Sequence, residues 1–194
     1  KMKHIFEQGD FNDYMDIRLD EAVKPVTEFY EEVGRTTVFI SHKHDDLKDL
    51  MGLIGFLENK YHVKAYIDSR DPLMPNNTSG KTAQRIKEKI TQCNKFILLA
   101  TNRAVESKWC NWELGFGDAK KFQDNIALFP MKPKGGSDSL YKGNEYMSIY
   151  PYIVKQEYGD RYKNGSSVAA GYYVCTNEDG NCTLLPLEDW FSRR

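Results

Sequence analysis

The residues best suited to chemistry form the stretch Ser107-Lys108-Trp109-Cys110-Asn111-Trp112-Glu113-Leu114. Trp109 and Glu113 are four residues apart, a spacing that places both side chains on one face of a helix. A carboxylate beside an indole, at the mouth of an α/β sheet, is partly desolvated and can stabilise developing positive charge. The spacing alone also fits a simpler interpretation, in which Trp109 belongs to the core and Glu113 is solvated.

Other patterns with chemical potential are weaker. Gly115-Phe116-Gly117-Asp118 has the look of a phosphate loop, but it lies inside a helical pattern, lacks the motif's final glycine and follows no strand. Ser41 is as well explained by hydrogen bonding at a strand end as by nucleophilic attack. No CxxC pair is present, and the histidines have no neighbours of metal-ligand type, so no metal is expected. These histidines are His4, His42, His44 and His62.

Strands and helices that could position these residues alternate through the middle of the chain. Apolar runs predict strands at 36–41, 63–67, 95–100 and 125–130. Apolar stripes predict helices at 47–57, 83–93 and 107–120. Near-continuous apolar strands are typical of a parallel sheet covered on both faces, so the pattern predicts an α/β three-layer sandwich with a central parallel sheet. Ligands bind such sheets at the carboxyl ends of the strands, where Ser41–His44, Asp68–Pro75 and the start of the third helix converge.

The flanking segments are less regular. We expect residues 1–35 to form an N-terminal extension, with a helix from Asp16 to Val33 interrupted near Pro25. Residues 36–132 form the predicted core. Residues 133–194 are expected to complete or decorate it with strands at Tyr152–Val154 and Tyr172–Cys175 and a terminal helix at Leu187–Phe191.

Composition narrows the class of protein. The 194 residues include 27 Lys and Arg against 28 Asp and Glu, which argues against a nucleic-acid binder driven by bulk charge. No apolar run approaches the ~20 residues of a membrane helix, and the start has no secretory apolar core. A cytoplasmic protein is therefore expected, with no nucleic acid or membrane partner. Cys175 and Cys182 could face each other across a hairpin, but reduced thiols are the expectation in a cytosol.

Three segments, in order, resemble the Toll/interleukin-1 receptor (TIR) domain family. Val38–Asp46 resembles the family's first motif, and Tyr66–Asp71 with the following Pro/Asn loop is similar to its second strand and BB loop. Ser107–Leu114 is similar to the W-C-x-x-E stretch of enzymatic members, chiefly bacterial and plant ones. The resemblance covers about 35–132, and the BB loop lacks the usual proline-glycine turn.

The resemblance implies a flavodoxin-like fold and a reaction. Enzymatic members cleave NAD+ between nicotinamide and ribose, and bacterial ones similar to those of Thoeris use the products as signals in antiphage defence. Their catalytic glutamate falls on Glu113. Ser41, His42, Lys43 and His44 would line the NAD+ pocket, Arg70 would stand at the BB-loop position, and Trp109 would wall the ribose or nicotinamide side. Self-association through TIR–TIR contacts is implied, as is a downstream effector that senses the nucleotide product.

Glycosidases ordinarily use two carboxylates because a poor leaving oxygen must be protonated. Nicotinamide leaves NAD+ as a neutral molecule, so a single carboxylate can suffice. Water capture would give ADP-ribose, and internal capture a cyclic isomer. Rival interpretations are a non-catalytic TIR adaptor acting by homotypic contacts and an enzyme similar to nucleoside deoxyribosyltransferases. A phosphoacceptor receiver domain, suggested by Asp45 and Asp46, is weaker because a helix start already explains that pair.

Overall fold

A single eight-stranded sheet organises the chain. The computed structural model describes residues 5–15, 34–71, 73–75, 77, 79–121, 123–178 and 181–193. The strands are β1 Phe6–Glu7, β2 Thr37–Ser41, β3 Lys64–Tyr66, β4 Lys95–Thr101, β5 Ile126–Lys132, β6 Tyr152–Gln156, β7 Gly171–Glu178 and β8 Asn181–Pro186. The helices are α1 Leu47–Tyr61, α2 Gly80–Gln92, α3 Asn102–Val105, α4 Lys108–Lys121, α5 Tyr146–Ile149 and α6 Leu187–Ser192.

The strand order is β3-β2-β4-β5-β6-β7-β8, with β1 paired to β5. From β3 to β6 all pairings are parallel, and this order is that of flavodoxin-like sheets. The predicted fold class is thereby confirmed. The sheet is mixed rather than wholly parallel, because β7 and β8 continue it in antiparallel hairpins. The sequence analysis expected a strand within β7 and did not predict β8.

Helices cover both faces of the sheet. Strand β4 is buried along its whole length, which explains its unbroken apolar sequence. The α1 stripe, with Leu50, Ile54 and Leu57 buried, packs on one face together with α6. Helices α2 and α4 pack on the opposite face. The three-layer arrangement leaves the carboxyl edge of the parallel strands clear for a site.

The N-terminal residues 5–15 are part of this architecture. Strand β5 pairs with Tyr152, the first residue of β6, at Leu128 and with β1 at Met131 and Lys132, so β1 pairs with β5 past the point where β6 does. The backbone carbonyls of Phe11 and Tyr14 lie directly against Gly52 and Gly55 of α1, where a Cβ atom would collide with them. The predicted helix from Asp16 to Val33 lies outside the described residues.

Cys175 and Cys182 are joined by a disulfide across the β7–β8 hairpin, with their Cα atoms 5.7 Å apart. The expectation of reduced thiols is therefore wrong for this pair. The hairpin register sets Asn177 opposite Cys182, which brings the two cysteines close on neighbouring strands. Cys93 and Cys110 are free and buried. No helix in the described part of the chain is both long enough and apolar enough to span a membrane.

Candidate active site

The candidate site lies where the strand order reverses, between β2 and β4. This switch point is where ligands bind open α/β sheets. Strand β2 ends at Ser41, which is in register with Leu98 of β4. The chain then leaves β4 through the short helix α3 and enters α4, whose second turn carries Glu113. The stretch Gly115–Asp118, which superficially resembles a phosphate loop, lies inside α4, as its helical pattern indicated.

Glu113 is the most perturbed acid of the site. Its side chain is buried, with 3% of the residue exposed, and its Oε2 accepts a hydrogen bond of 2.5 Å from Ser41 Oγ. Burial raises the pKa of Glu113 to about 8, and the negative charge of Asp68 acts in the same direction. Hydrogen bonds from Ser41 and Trp109 oppose the shift. Glu113 is therefore largely protonated at pH 7, and a cation brought near it would favour the carboxylate.

A cavity of about 400 Å³, a size within the usual range of small-molecule sites, opens at Trp109, one helical turn before Glu113. Glu113 itself is not one of its lining residues. Its wall combines polar and apolar side chains from the stretch after β2, the loop after β3, the start of α2, and α4. The lining residues are His44, Asp68, Ser69, Met74, Pro75, Thr82 and Trp109. Trp109 precedes Glu113 by one helical turn, so the predicted pairing of indole and carboxylate on one helix face is present.

His42 is held in one orientation beneath the cavity. Its side chain is 4% exposed, and its Nδ1 lies 3.3 Å from the Ile40 carbonyl oxygen, to which it donates. That bond leaves Nε2 facing Asp68, whose Oδ1 is 3.9 Å away. Burial lowers the pKa of His42, and Asp68 opposes this. His42 is thus neutral at pH 7 and lies behind Asp68, which lines the cavity.

Two predicted cations lie apart from the cavity lining. The Arg70 guanidinium is half-buried against α1, with Nη2 3.2 Å from Met51 Sδ. Burial lowers the pKa of Arg70, and Glu58 opposes that shift. The structure therefore does not bring Arg70 to the cavity, since the turn after β3 directs its side chain to α1. Lys43 is half-exposed, and its charge acts on Cys110 in α4.

The loop that forms one wall is tied to α2 through Asp71. This carboxylate is 3% exposed, accepts from Arg85 Nε at 2.7 Å, and also accepts from the Tyr66 hydroxyl at 2.7 Å. Burial alone would raise the pKa of Asp71, but the hydrogen bonds from Arg85, Tyr66 and the Leu73 amide lower it. The loop's first turn, which leads to Met74 and Pro75, is consequently anchored.

Asp68 is the cavity residue that sequence reasoning did not single out. The sequence analysis names Asp68 only as the first residue of the loop segment Asp68–Pro75. The available signal was its position as the first residue after the second apolar strand, beside Ser41–His44 at the same sheet edge. Within the described residues, no group of three or more His, Cys, Asp and Glu could hold a metal ion.

The fold and this site define a class of protein. The family model described as TIR domain matches residues 38–151, and the chain belongs to that family. The chain is also similar to a curated protein of Bacillus cereus (strain MSX-D12) named "Probable 3' cyclic ADP-D-ribose synthase ThsB'". The two are 29% identical over 120 residues, which is 61% of this chain and 60% of the relative. The match thus spans less than two thirds of the relative's length.

Proposed function

We propose that this chain cleaves the bond between nicotinamide and ribose in NAD+, acting as an NAD+ nucleosidase or ADP-ribosyl cyclase. The observation that carries the proposal is Glu113, buried at the sheet's switch point, hydrogen-bonded by Ser41 and one helical turn from Trp109, which lines the cavity. The printed name of the Bacillus cereus relative, a cyclic ADP-ribose synthase, supports the same chemistry.

The site's electrostatics suit a substrate that is already cationic. In NAD+ the nicotinamide is a pyridinium that leaves as a neutral molecule. The positive charge that needs stabilisation is therefore the one that develops on the ribose. Glu113 near that sugar would ionise as the cation approaches and stabilise the ribosyl cation. A preorganised interaction of this kind contributes about 3–4 kcal/mol, or ~10²–10³ in rate. Ser41 would hold the carboxylate in place by donating to Oε2.

The second half of the reaction is capture of the ribosyl cation. Attack by water gives ADP-ribose, and attack by an adenine nitrogen or a ribose hydroxyl gives a cyclic isomer. We propose that the product serves as a signal in antiphage defence, read by a downstream effector that binds the nucleotide. We further propose that the active form is self-associated through TIR–TIR contacts, and that Ser41, His42, Lys43, His44 and Trp109 belong to the NAD+ site.

The decisive experiment is incubation of the protein with NAD+, followed by product identification by mass spectrometry. Glu113→Gln should lower turnover by about 10²–10³, because the amide cannot become an anion. Glu106→Gln is the matched control: Glu106 is exposed and pairs with Lys142, 2.5 Å away on the surface. A protein series from low to high concentration tests self-association, which predicts turnover that rises more than proportionally.

The adaptor alternative predicts a different outcome. A folded Glu113→Gln protein with unchanged NAD+ turnover, or a wild type without turnover at every concentration, would leave homotypic binding as the better explanation. Release of free nicotinamide in equal amount to the nucleotide product distinguishes the proposed cleavage from nucleoside exchange.

A further inference from the structure

The cavity contains a carboxylate that the proposed mechanism does not use. Asp68 follows β3, and its side chain is 35% exposed. Its Oδ1 accepts a hydrogen bond of 2.8 Å from the Ser69 amide and faces His42 Nε2 at 3.9 Å. Between the described residues, no hydrogen bond reaches Oδ2 of Asp68. That oxygen is therefore available to a ligand in the cavity.

The groups that face Asp68 come from two other elements. His42 and His44 lie in the stretch after β2, and Glu113 comes from α4. Burial lowers the pKa of His42 and raises that of Glu113 to about 8, so burial disfavours charge on both. The negative potential of the cavity near neutral pH therefore comes from Asp68.

The remaining walls suit a flat ring. Trp109 presents an indole, and Met74 and Pro75 present apolar surface from the loop tied down by Asp71. Stacking between such surfaces strengthens the binding of an aromatic cation, and attraction to a carboxylate at the rim of the same cavity strengthens it further. A neutral ring of similar shape is bound by stacking alone.

We propose that Asp68 binds the positively charged nicotinamide ring of NAD+ and makes the cavity prefer that cation to a neutral ring of similar shape. The inference rests on the proposed function and assigns a specificity residue to the same site. Because the ring loses its charge as it leaves, attraction to Asp68 is strongest in the bound substrate. Loss of this attraction should thus raise the KM for NAD+ and, because the attraction is weaker in the transition state, leave kcat unchanged or raise it.

Equilibrium binding of NAD+ and NADH separates the effect of charge from the effect of shape. The two ligands share every group outside the nicotinamide ring, and Glu113→Gln as the background slows turnover. Adding Asp68→Asn should weaken NAD+ binding about tenfold, as expected for a partly exposed charge pair, and leave NADH within about twofold. Glu106→Gln, which neutralises an exposed carboxylate outside the cavity lining, is the matched control and should change neither. Asp68→Glu should retain the preference for NAD+.

The possible results separate failure of this inference from failure of the proposed function. Equal weakening of NAD+ and NADH by Asp68→Asn, or no change in either, overturns the inference while wild-type turnover leaves the proposed function standing. A raised KM with kcat unchanged or increased in the otherwise wild-type protein supports it, and a fall in kcat alone contradicts it. If the wild type neither binds nor consumes NAD+, the proposed function fails, and the inference fails with it.

Discussion

Two buried acids lie at the β2–β4 switch point. Each follows one of these strands in the chain and accepts a hydrogen bond from the end of the other strand. Glu113, from the helix that follows β4, accepts a 2.5 Å hydrogen bond from Ser41 at the end of β2. Asp46, which follows β2, accepts a 2.5 Å hydrogen bond from Thr101 at the end of β4. Burial is the main cause that raises the pKa of each. Similar local chemistry thus occurs on both sides of the same strand pair.

The two acids differ in what else they meet. Asp46 has a cation, Arg103, whose Nη1 is 3.3 Å from Oδ1. Glu113 forms no ion pair with a Lys or Arg of the described residues, and its neighbours Trp109 and Asp68 line the cavity. A buried acid with its own cation stabilises the fold, whereas one without a cation favours a ligand that brings one. This difference makes Asp46 structural and Glu113 the candidate for chemistry.

The largest expected effect comes from exchanging each acid for its amide. Glu113→Gln should lower NAD+ turnover by about 10²–10³ without destabilising the fold. Asp46→Asn should leave turnover per folded molecule within about twofold and lower the free energy of unfolding by about 1–2 kcal/mol. Initial rates and urea unfolding of both variants give the comparison. Equal losses of turnover in the two would remove the distinction between them.

Stability should depend on pH at Glu113 in a defined direction. Its folded-state pKa, about 8, lies above the value of 4.5 for an exposed glutamate, so its contribution to stability is fully present below pH 4.5 and is lost as pH rises towards 8. Glu113→Gln escapes this loss, which reaches about 3 kcal/mol by pH 7. The Tm of Glu113→Gln relative to wild type should therefore rise between pH 5 and pH 8. A constant difference would contradict the raised pKa.

Ser41→Ala should have an intermediate effect. The Ser41 hydroxyl lowers the pKa of Glu113, so its removal should raise that pKa further and reduce the ionised fraction at neutral pH. Turnover at pH 7 should fall about three- to tenfold, as loss of one hydrogen bond to a carboxylate implies. The pH–rate profile should shift to higher pH, with partial recovery of the rate in alkaline buffer. A drop that is uniform over pH would point to a different role for Ser41.

The smallest effect is expected at Arg70. Because its guanidinium packs on Met51 instead of the cavity, Arg70→Met should change the KM for NAD+ by less than about twofold. Titrating NAD+ against initial rate checks this. A KM raised tenfold or more would return Arg70 to the NAD+ site, where the family resemblance places it, and would imply that the side chain serves a neighbouring copy.

Much of the central fold was predictable, because hydrophobic periodicity records which faces are buried. Strands β2 to β5 and helices α1, α2 and α4 lie where the apolar runs and stripes predict them. The exposed strand β8 has no such signal, since its residues are mostly solvated and its place depends on pairing with β7. The short strand β1 is specified by β5, a partner more than a hundred residues away.

The site was predictable where spacing decides and unpredictable where side-chain direction decides. The four-residue spacing of Trp109 and Glu113 fixes their common helix face, so that pairing followed from sequence. The direction of Arg70 depends on a single turn after β3, and the cavity role of Asp68 depends on three elements meeting. Asp46 shows the same limit: it precedes α1 as expected, but its carboxylate makes no cap hydrogen bond and binds Thr101 instead.

The packing of residues 5–15 against the sheet and α1 has a practical consequence for recombinant work. Phe6 stacks on Phe129 with ring centroids 4.7 Å apart, and Phe11 meets Phe56 at 4.8 Å. A fragment trimmed to the family-matched segment, 38–151, would uncover these aromatic surfaces and, since it lacks both β1 and β6, would also expose the edge of β5. Such a truncated fragment should be prone to aggregation, because strand edges and apolar patches are exposed. Expression boundaries are therefore better chosen from strand pairing than from the extent of the shared domain.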